Sequence, residues 1–165
     1  MTNESGRQQK VRTALRGISG VHVTAWKSDG EADWKLTGEI VDRIAEAGIH
    51  NIVSAGNTGE FYALTTDEVR AVHDGCVAAN AGRAMTTAGV GRSLKEAVAL
   101  GRRAAEAGFD AVMVHQPLDP FAAPQAQAAY FEAVADALTI PVVAYVRSDA
   151  ISLGLLTRLG DHPNI

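Results

Sequence analysis

Short apolar runs alternate with longer segments of helical period along most of the chain. The first run, "ISGVHVTAW" (18–26), is followed after the turn "SDG" by an amphipathic segment from about Asp33 to Ala47. "NIVSA" (51–55) precedes a helix from about Thr66 to Asn80, and "AMTTAGV" (84–90) one from about Ser93 to Ala107. "DAVMV" (110–114) leads to a helix over Pro124 to Leu138, and "PVVAYV" (141–146) to one over Ser152 to Leu159, after which "HPNI" opens a possible sixth strand. The spacing predicts βα units of roughly thirty residues, the period of parallel strands joined by crossover helices.

Local chemistry supports these boundaries. "TTDE" from Thr65 and "SLKE" from Ser93 carry the capping-box pattern, in which a hydroxyl and a glutamate three residues on satisfy free amides of the first turn. "EAGIHN" and "EAGFD" share a helix-stop formula, with Gly48 and Gly108 suited to a left-handed closing residue.

Two α/β architectures use such units, the open doubly wound sheet and the closed (β/α)8 TIM barrel. Five units can complete an open sheet, whereas eight strands need about 250 residues. The loops favour the barrel. "VTAWKSDGEADW" after the first strand lacks the glycine spacing of a dinucleotide site, and no P-loop lysine pattern occurs. "GVGRSL" (89–94) lacks a third glycine and reads as a turn into a helix capped by Ser93, or as a weak phosphate cradle. Distinctive polar residues instead fall at strand ends: Thr24, Asn57, Thr58, Thr87, His115, Gln116, Tyr145 and Arg147. Barrel enzymes gather their chemistry on that face.

Composition narrows the class further. The chain is 47% hydrophobic without a long uninterrupted apolar run, so a soluble globular domain without a membrane span is expected. Its net charge is −4 and its basic residues are scattered, which argues against a nucleic-acid partner. Residues 1–16 are polar and lack the apolar core of a secretory signal; they are expected to form a flexible lead-in to a domain over 17–165. The single cysteine, Cys76, is read as a buried, inert thiol, and a cytoplasmic location is expected. The five histidines are dispersed without ligand spacing, so no metal site is expected.

The segment "GNTGEFYALTTDE" (56–68) resembles the GxTGE signature of the pyruvate-dependent class I aldolase superfamily that contains dihydrodipicolinate synthase and N-acetylneuraminate lyase. "GISGVHVTAW", "AMTTAGVG", "DAVMVHQP" and "IPVVAYVR" are similar in order and spacing to its first, third, fourth and fifth strands. The resemblance implies a TIM barrel, of which this chain supplies about the first five βα units, and Schiff-base chemistry on pyruvate or a related 2-oxo acid without a cofactor. It implies that Gly56, Asn57, Thr58 and Gly59 receive the substrate carboxylate, with the two glycines letting the main chain approach the ligand. Tyr145, Thr58 and Asn57 are implied as catalytic, Tyr145 as a phenol able to donate and accept protons. Glu60 is read as a brace of the loop. A homodimer or homotetramer is implied.

Three departures shape the expectation. Asn57 stands where the family commonly has a relay hydroxyl, no tyrosine occurs at 116–121, and Ala150 occupies the position of an arginine used by the synthase. "YVRSD" and "TGEFYALT" are closer to 5-dehydro-4-deoxyglucarate dehydratases of the same superfamily. Arg147 there suits a carboxylate or hydroxyl of a longer sugar acid, or else a pairing with Asp149 or a helix terminus.

The family's imine-forming lysine lies on the sixth strand, by comparison about four residues past Ile165. Lys10, Lys27, Lys35 and Lys95 fall in the lead-in, a turn or helix surfaces. The expectation is therefore an N-terminal portion of a lyase, inactive by itself; the alternative is a 2-oxo-acid-binding module without turnover.

Overall fold

The computed structural model describes residues 2–117, 119, 122–147 and 151–165. Its elements are α1 (Thr2–Leu15), β1 (Ser19–Val21), α2 (Trp34–Glu46), β2 (Asn51–Ser54), α3 (Thr66–Asn80), β3 (Met85–Val90), α4 (Leu94–Ala107), β4 (Ala111–His115), α5 (Pro124–Asp136), β5 (Val142–Tyr145) and α6 (Leu153–Gly160). All strand pairs are parallel, and the spatial order is β1-β2-β3-β4-β5. That order decides between the two architectures. A doubly wound sheet reverses direction to place helices on both faces, whereas an unreversed order with right-handed crossovers puts every helix on one face. The chain is a five-stranded arc of a (β/α)8 barrel.

The outward face of each strand packs on the helices. Ile52, Ala88, Val90, Val112 and Val114 join Val41, Val69, Val72, Ala97, Leu100 and Phe131 in one buried core. Cys76 belongs to this core, and burial pushes its thiol up to about 12. The inward face is more polar. Asn51 donates to Ser19 Oγ at 3.1 Å and accepts from Thr87 Oγ1 at 2.8 Å, tying β1, β2 and β3 together inside the arc. Thr87 therefore sits in mid-strand as a buried structural hydroxyl rather than at the mouth.

The segment expected to be a lead-in forms α1. Its Val11 packs on Met85 and Ala111, the first residues of β3 and β4, so the helix lies across the N-terminal ends of the strands. Lys10 pairs with Asp110 at that end, at 2.5 Å. Strand β1 is shorter than the apolar run suggested. Beyond Val21 the neighbouring chain leaves β2 and turns away, so Thr24 bonds to Gly59 O at 2.9 Å and Trp26 bridges to Ala32 instead.

The caps follow the local signals, with one exception. Thr65 and Glu68 complete a capping box, and Gly48 and Gly108 adopt φ of 75° and 98°. Ser93 caps α4 by accepting from Glu96 N at 3.2 Å, but the Glu96 carboxylate turns to Thr66 and Arg92, leaving the box half made. Among the described residues, no helix is long and apolar enough to cross a membrane.

Candidate active site at the strand ends

A turn follows β2. Glu60 N donates to Asn57 O at 3.0 Å and Phe61 N to Gly56 O at 3.3 Å, while Asn57 and Thr58 are exposed at its tip. Among the described residues nothing accepts from the N–H groups of Asn57, Thr58 and Gly59. Successive free amides on a tight turn form a concavity of positive potential suited to an anion.

The turn is built under backbone strain. Ala55 (φ 52°) and Glu60 (φ 64°) flank it in the left-handed region, and Arg92 (φ 69°) lies beside it. Each such conformation costs a non-glycine residue roughly 1–3 kcal/mol and persists only where the surroundings over-determine it. Thr24 holds Gly59 O, and Trp26 Nε1 donates to Glu60 Oε2 at 2.5 Å, so the Glu60 carboxylate braces the turn. Gly56 and Gly59 also make room within the protein itself. A β-carbon at Gly56 would lie 2.6 Å from Val21 Cγ1, and one at Gly59 3.0 Å from His22 O. What needs the space is the segment around the end of β1, packed against the turn.

His115 ends β4, in register with Tyr145 at the end of β5. Its imidazole stacks on Phe61 with centroids 4.3 Å apart and meets Tyr62 and Tyr145 edge-on at 5.3 and 6.0 Å. His115 Nε2 lies 3.0 Å from Ala55 O, an acceptor only, so this nitrogen carries the proton. Burial lowers the His115 pKa, the Ala55 carbonyl opposes that shift and Arg147 adds to it, so the ring is neutral near pH 7.

Tyr145 is half-buried and one ring removed from the turn, with His115 between them. Tyr62 donates to Gln116 O at 3.1 Å; burial raises its pKa, with Arg147 and Arg92 pulling the other way. The exposed Arg147 donates its backbone N–H to Gln116 Oε1 at 2.7 Å, and Gln116 Nε2 donates to Gln127. Asn57, Thr58, Tyr145 and Arg147 therefore stand on one end of the arc, the C-terminal end of parallel strands. Asp149 and Ala150 lie outside the described residues, as do 118, 120 and 121.

The sequence pattern placed His115 among the strand-end residues without giving it a role, and it left Arg92 hidden in "GVGRSL". The available signal was the non-glycine at 92, where the chain turns sharply from β3 into α4.

Gly89 shows how tightly the site is closed. A β-carbon there would sit 2.0 Å from Ala55 O and 3.0 Å from His115 Nε2. Gly89→Ala is expected to lose about 1–3 kcal/mol in urea unfolding, because the contact is with backbone. A loss under a few tenths would contradict this geometry.

Comparison with known proteins gives a consistent picture. Residues 14–165 match the model of the dihydrodipicolinate synthetase family. A 4-hydroxy-tetrahydrodipicolinate synthase of Phenylobacterium zucineum is 34% identical over 156 residues, covering 92% of this chain and 53% of that one. A probable 5-dehydro-4-deoxyglucarate dehydratase of Streptomyces coelicolor is 34% identical over 129 residues, covering 78% and 41%. The crystal structure of dihydrodipicolinate synthase from Bacillus clausii superposes with a TM-score of 0.91 at 40% identity, over 94% of this chain and 53% of that one. The chain spans about half the length of these relatives.

Proposed function

The chain belongs to the dihydrodipicolinate synthetase family, and from that premise we propose that it is the carboxylate-receiving portion of a Schiff-base lyase acting on pyruvate or a sugar-derived 2-oxo acid. The observation that carries this reading is the strained turn at 56–60, whose free amides stand at the same end of the arc as Tyr145. The amides of Asn57, Thr58 and Gly59 take the substrate carboxylate, and their glycine-permitted packing on β1 keeps them fixed before the ligand arrives. A lysine amine then adds to the keto carbon and water leaves. Tyr145 passes protons in that step and in the later bond breaking, with Thr58 and Asn57 hydrogen-bonding the reacting groups. Arg147 takes a hydroxyl or second carboxylate at the distal end of a longer acid. The assembly is a homodimer or homotetramer.

The lysine is assigned to a sixth strand continuing from the 162–165 segment. Val142 N donates to Asn164 O at 2.8 Å, and Asn164 Nδ2 is held by the carbonyls of Ala135, Leu138 and Ile140. Val112 N donates to Pro141 O in the same manner while Val112 pairs with Val142. The Val142 bond therefore sets Val142 opposite Ile165, so a continuing strand runs level with Tyr145 three residues later. A lysine about four residues past Ile165 would stand beside the phenol. The four lysines present are all exposed, and Lys10 lies at the opposite end of the strands.

Incubation with pyruvate and borohydride, read by mass, tests the assignment. The 165-residue chain is expected to be thermally stabilised by pyruvate and to gain no adduct, while a chain extended through a lysine-bearing sixth strand gains one. An adduct on Lys10, Lys27, Lys35 or Lys95 would refute the assigned nucleophile. Absence of any stabilisation would refute the carboxylate turn. Stabilisation without an adduct in the extended chain would favour a 2-oxo-acid-binding module.

A further inference from the structure

Arg92 is placed at some expense to the backbone. It is a non-glycine residue at φ 69°, immediately before the Ser93 cap of α4. Its terminal nitrogens reach both the turn and the helices behind it. Nη2 donates to Phe61 O at 3.0 Å and to Leu64 O; Nη1 donates to Thr66 Oγ1 at 3.0 Å and to Glu96 Oε1 at 2.8 Å. The guanidinium also lies 5.0 Å from the centroid of the Phe61 ring, the ring that stacks on His115. Tyr130 Oη donates to Arg92 O at 3.2 Å, holding the strained peptide from the other side. Glu96 forgoes its own capping box to complete this arrangement.

We propose that Arg92 is the positioning residue of the 56–64 turn, clamping its C-terminal limb so that the amides of Asn57, Thr58 and Gly59 hold a fixed geometry for an oxo-acid carboxylate. The proposal rests on the carboxylate reading above for its ligand, but not for its structural content. His115 fixes the near limb through Ala55 O, and Thr24 and Trp26 fix the middle through Gly59 O and Glu60. The far limb has the two carbonyls that Arg92 takes. A planar fork serves two carbonyls, a hydroxyl and a carboxylate at once, which a lysine ammonium cannot match. Sequestering these carbonyl oxygens behind the turn also leaves its positive face to the ligand.

Trp26 supplies a reporter, since its indole bonds to Glu60 within the turn. In a Trp34→Phe background, Arg92→Met and Arg92→Lys are compared with the parent by amide exchange without ligand, Trp26 emission and pyruvate affinity from thermal shifts. Arg103→Met, which breaks the exposed pair with Asp74, serves as a control for loss of an ion pair. Arg92→Met is expected to speed exchange of the hydrogen-bonded amides of Glu60, Phe61, Ala63 and Leu64 about tenfold. Exchange in α3 and α4 should stay unchanged, Trp26 emission should shift, and pyruvate should bind about tenfold more weakly. Arg92→Lys should fall between, and Arg103→Met should move none of these readings. Unchanged exchange and emission in Arg92→Met would overturn the proposal, as would exchange that rises equally in α3 and α4. If the turn loosens while pyruvate binds neither protein, the clamp stands and the carboxylate reading fails. Should Arg92→Met not fold, Arg92→Lys decides on the same readings.

Discussion

Taking the chain from pH 7 to pH 4 is expected to destabilise it by on the order of 3 kcal/mol through His73 alone. His73 lies on α3, 1% exposed, with its ring 5.2 Å from that of Phe109. Neither ring nitrogen has a hydrogen-bond partner among the described residues. Burial, reinforced by His22 and Arg103 and opposed by the Gly89 backbone, lowers its pKa to about 3. The native state therefore holds this ring neutral, while the unfolded chain protonates it at the ordinary value of about 6.5. Since the unfolded state binds the extra proton, the stabilising effect is complete above about pH 6.5. It is lost as pH falls towards 3. His22 and His115, both lowered chiefly by burial, act in the same direction. Urea unfolding at pH 7, 5.5 and 4 measures the slope, and His73→Leu should flatten it. Stability that does not change across that range would rule out a buried neutral His73.

Phe61→Ala is expected to remove about 3–5 kcal/mol, the range for emptying the site of a fully buried aromatic. Phe61 is completely buried, stacks on His115 and underlies the Arg92 guanidinium. Its loss removes a side chain touched by both His115 and Arg92, so pyruvate-induced stabilisation should vanish along with the packing energy. Urea unfolding and a pyruvate thermal shift read the two effects separately. A loss below about 1 kcal/mol with the ligand shift intact would show that the turn does not depend on this ring.

Much of the fold was legible because its signals are local. The capping hydroxyls of Thr65 and Ser93, the left-handed Gly48 and Gly108 and the alternation of short and long apolar segments each act within a few residues. They marked every strand and the helices α2 to α6. α1 was missed because its sequence carries few apolar residues; Val11, against Met85 and Ala111, and Lys10, paired with Asp110, show why it is held where it is. The excess length expected of β1 failed for the opposite reason. Its apolar alternation continues past Val21, but a strand ends where its neighbour leaves.

The site divides in the same way. The sequence alone determined that a glycine-bearing turn follows the second strand, that a tyrosine ends the fifth, and that "GVGRSL" opens a capped helix, since composition and spacing express these directly. Only the tertiary structure decided that the strands run in unreversed order, that Gly56 and Gly59 make room for the end of β1, and that His115 and Arg92 grip the turn from two sides. Those contacts join residues about thirty to sixty positions apart. No local pattern encodes them, because they arise when parallel strands bring their C-terminal ends to one face.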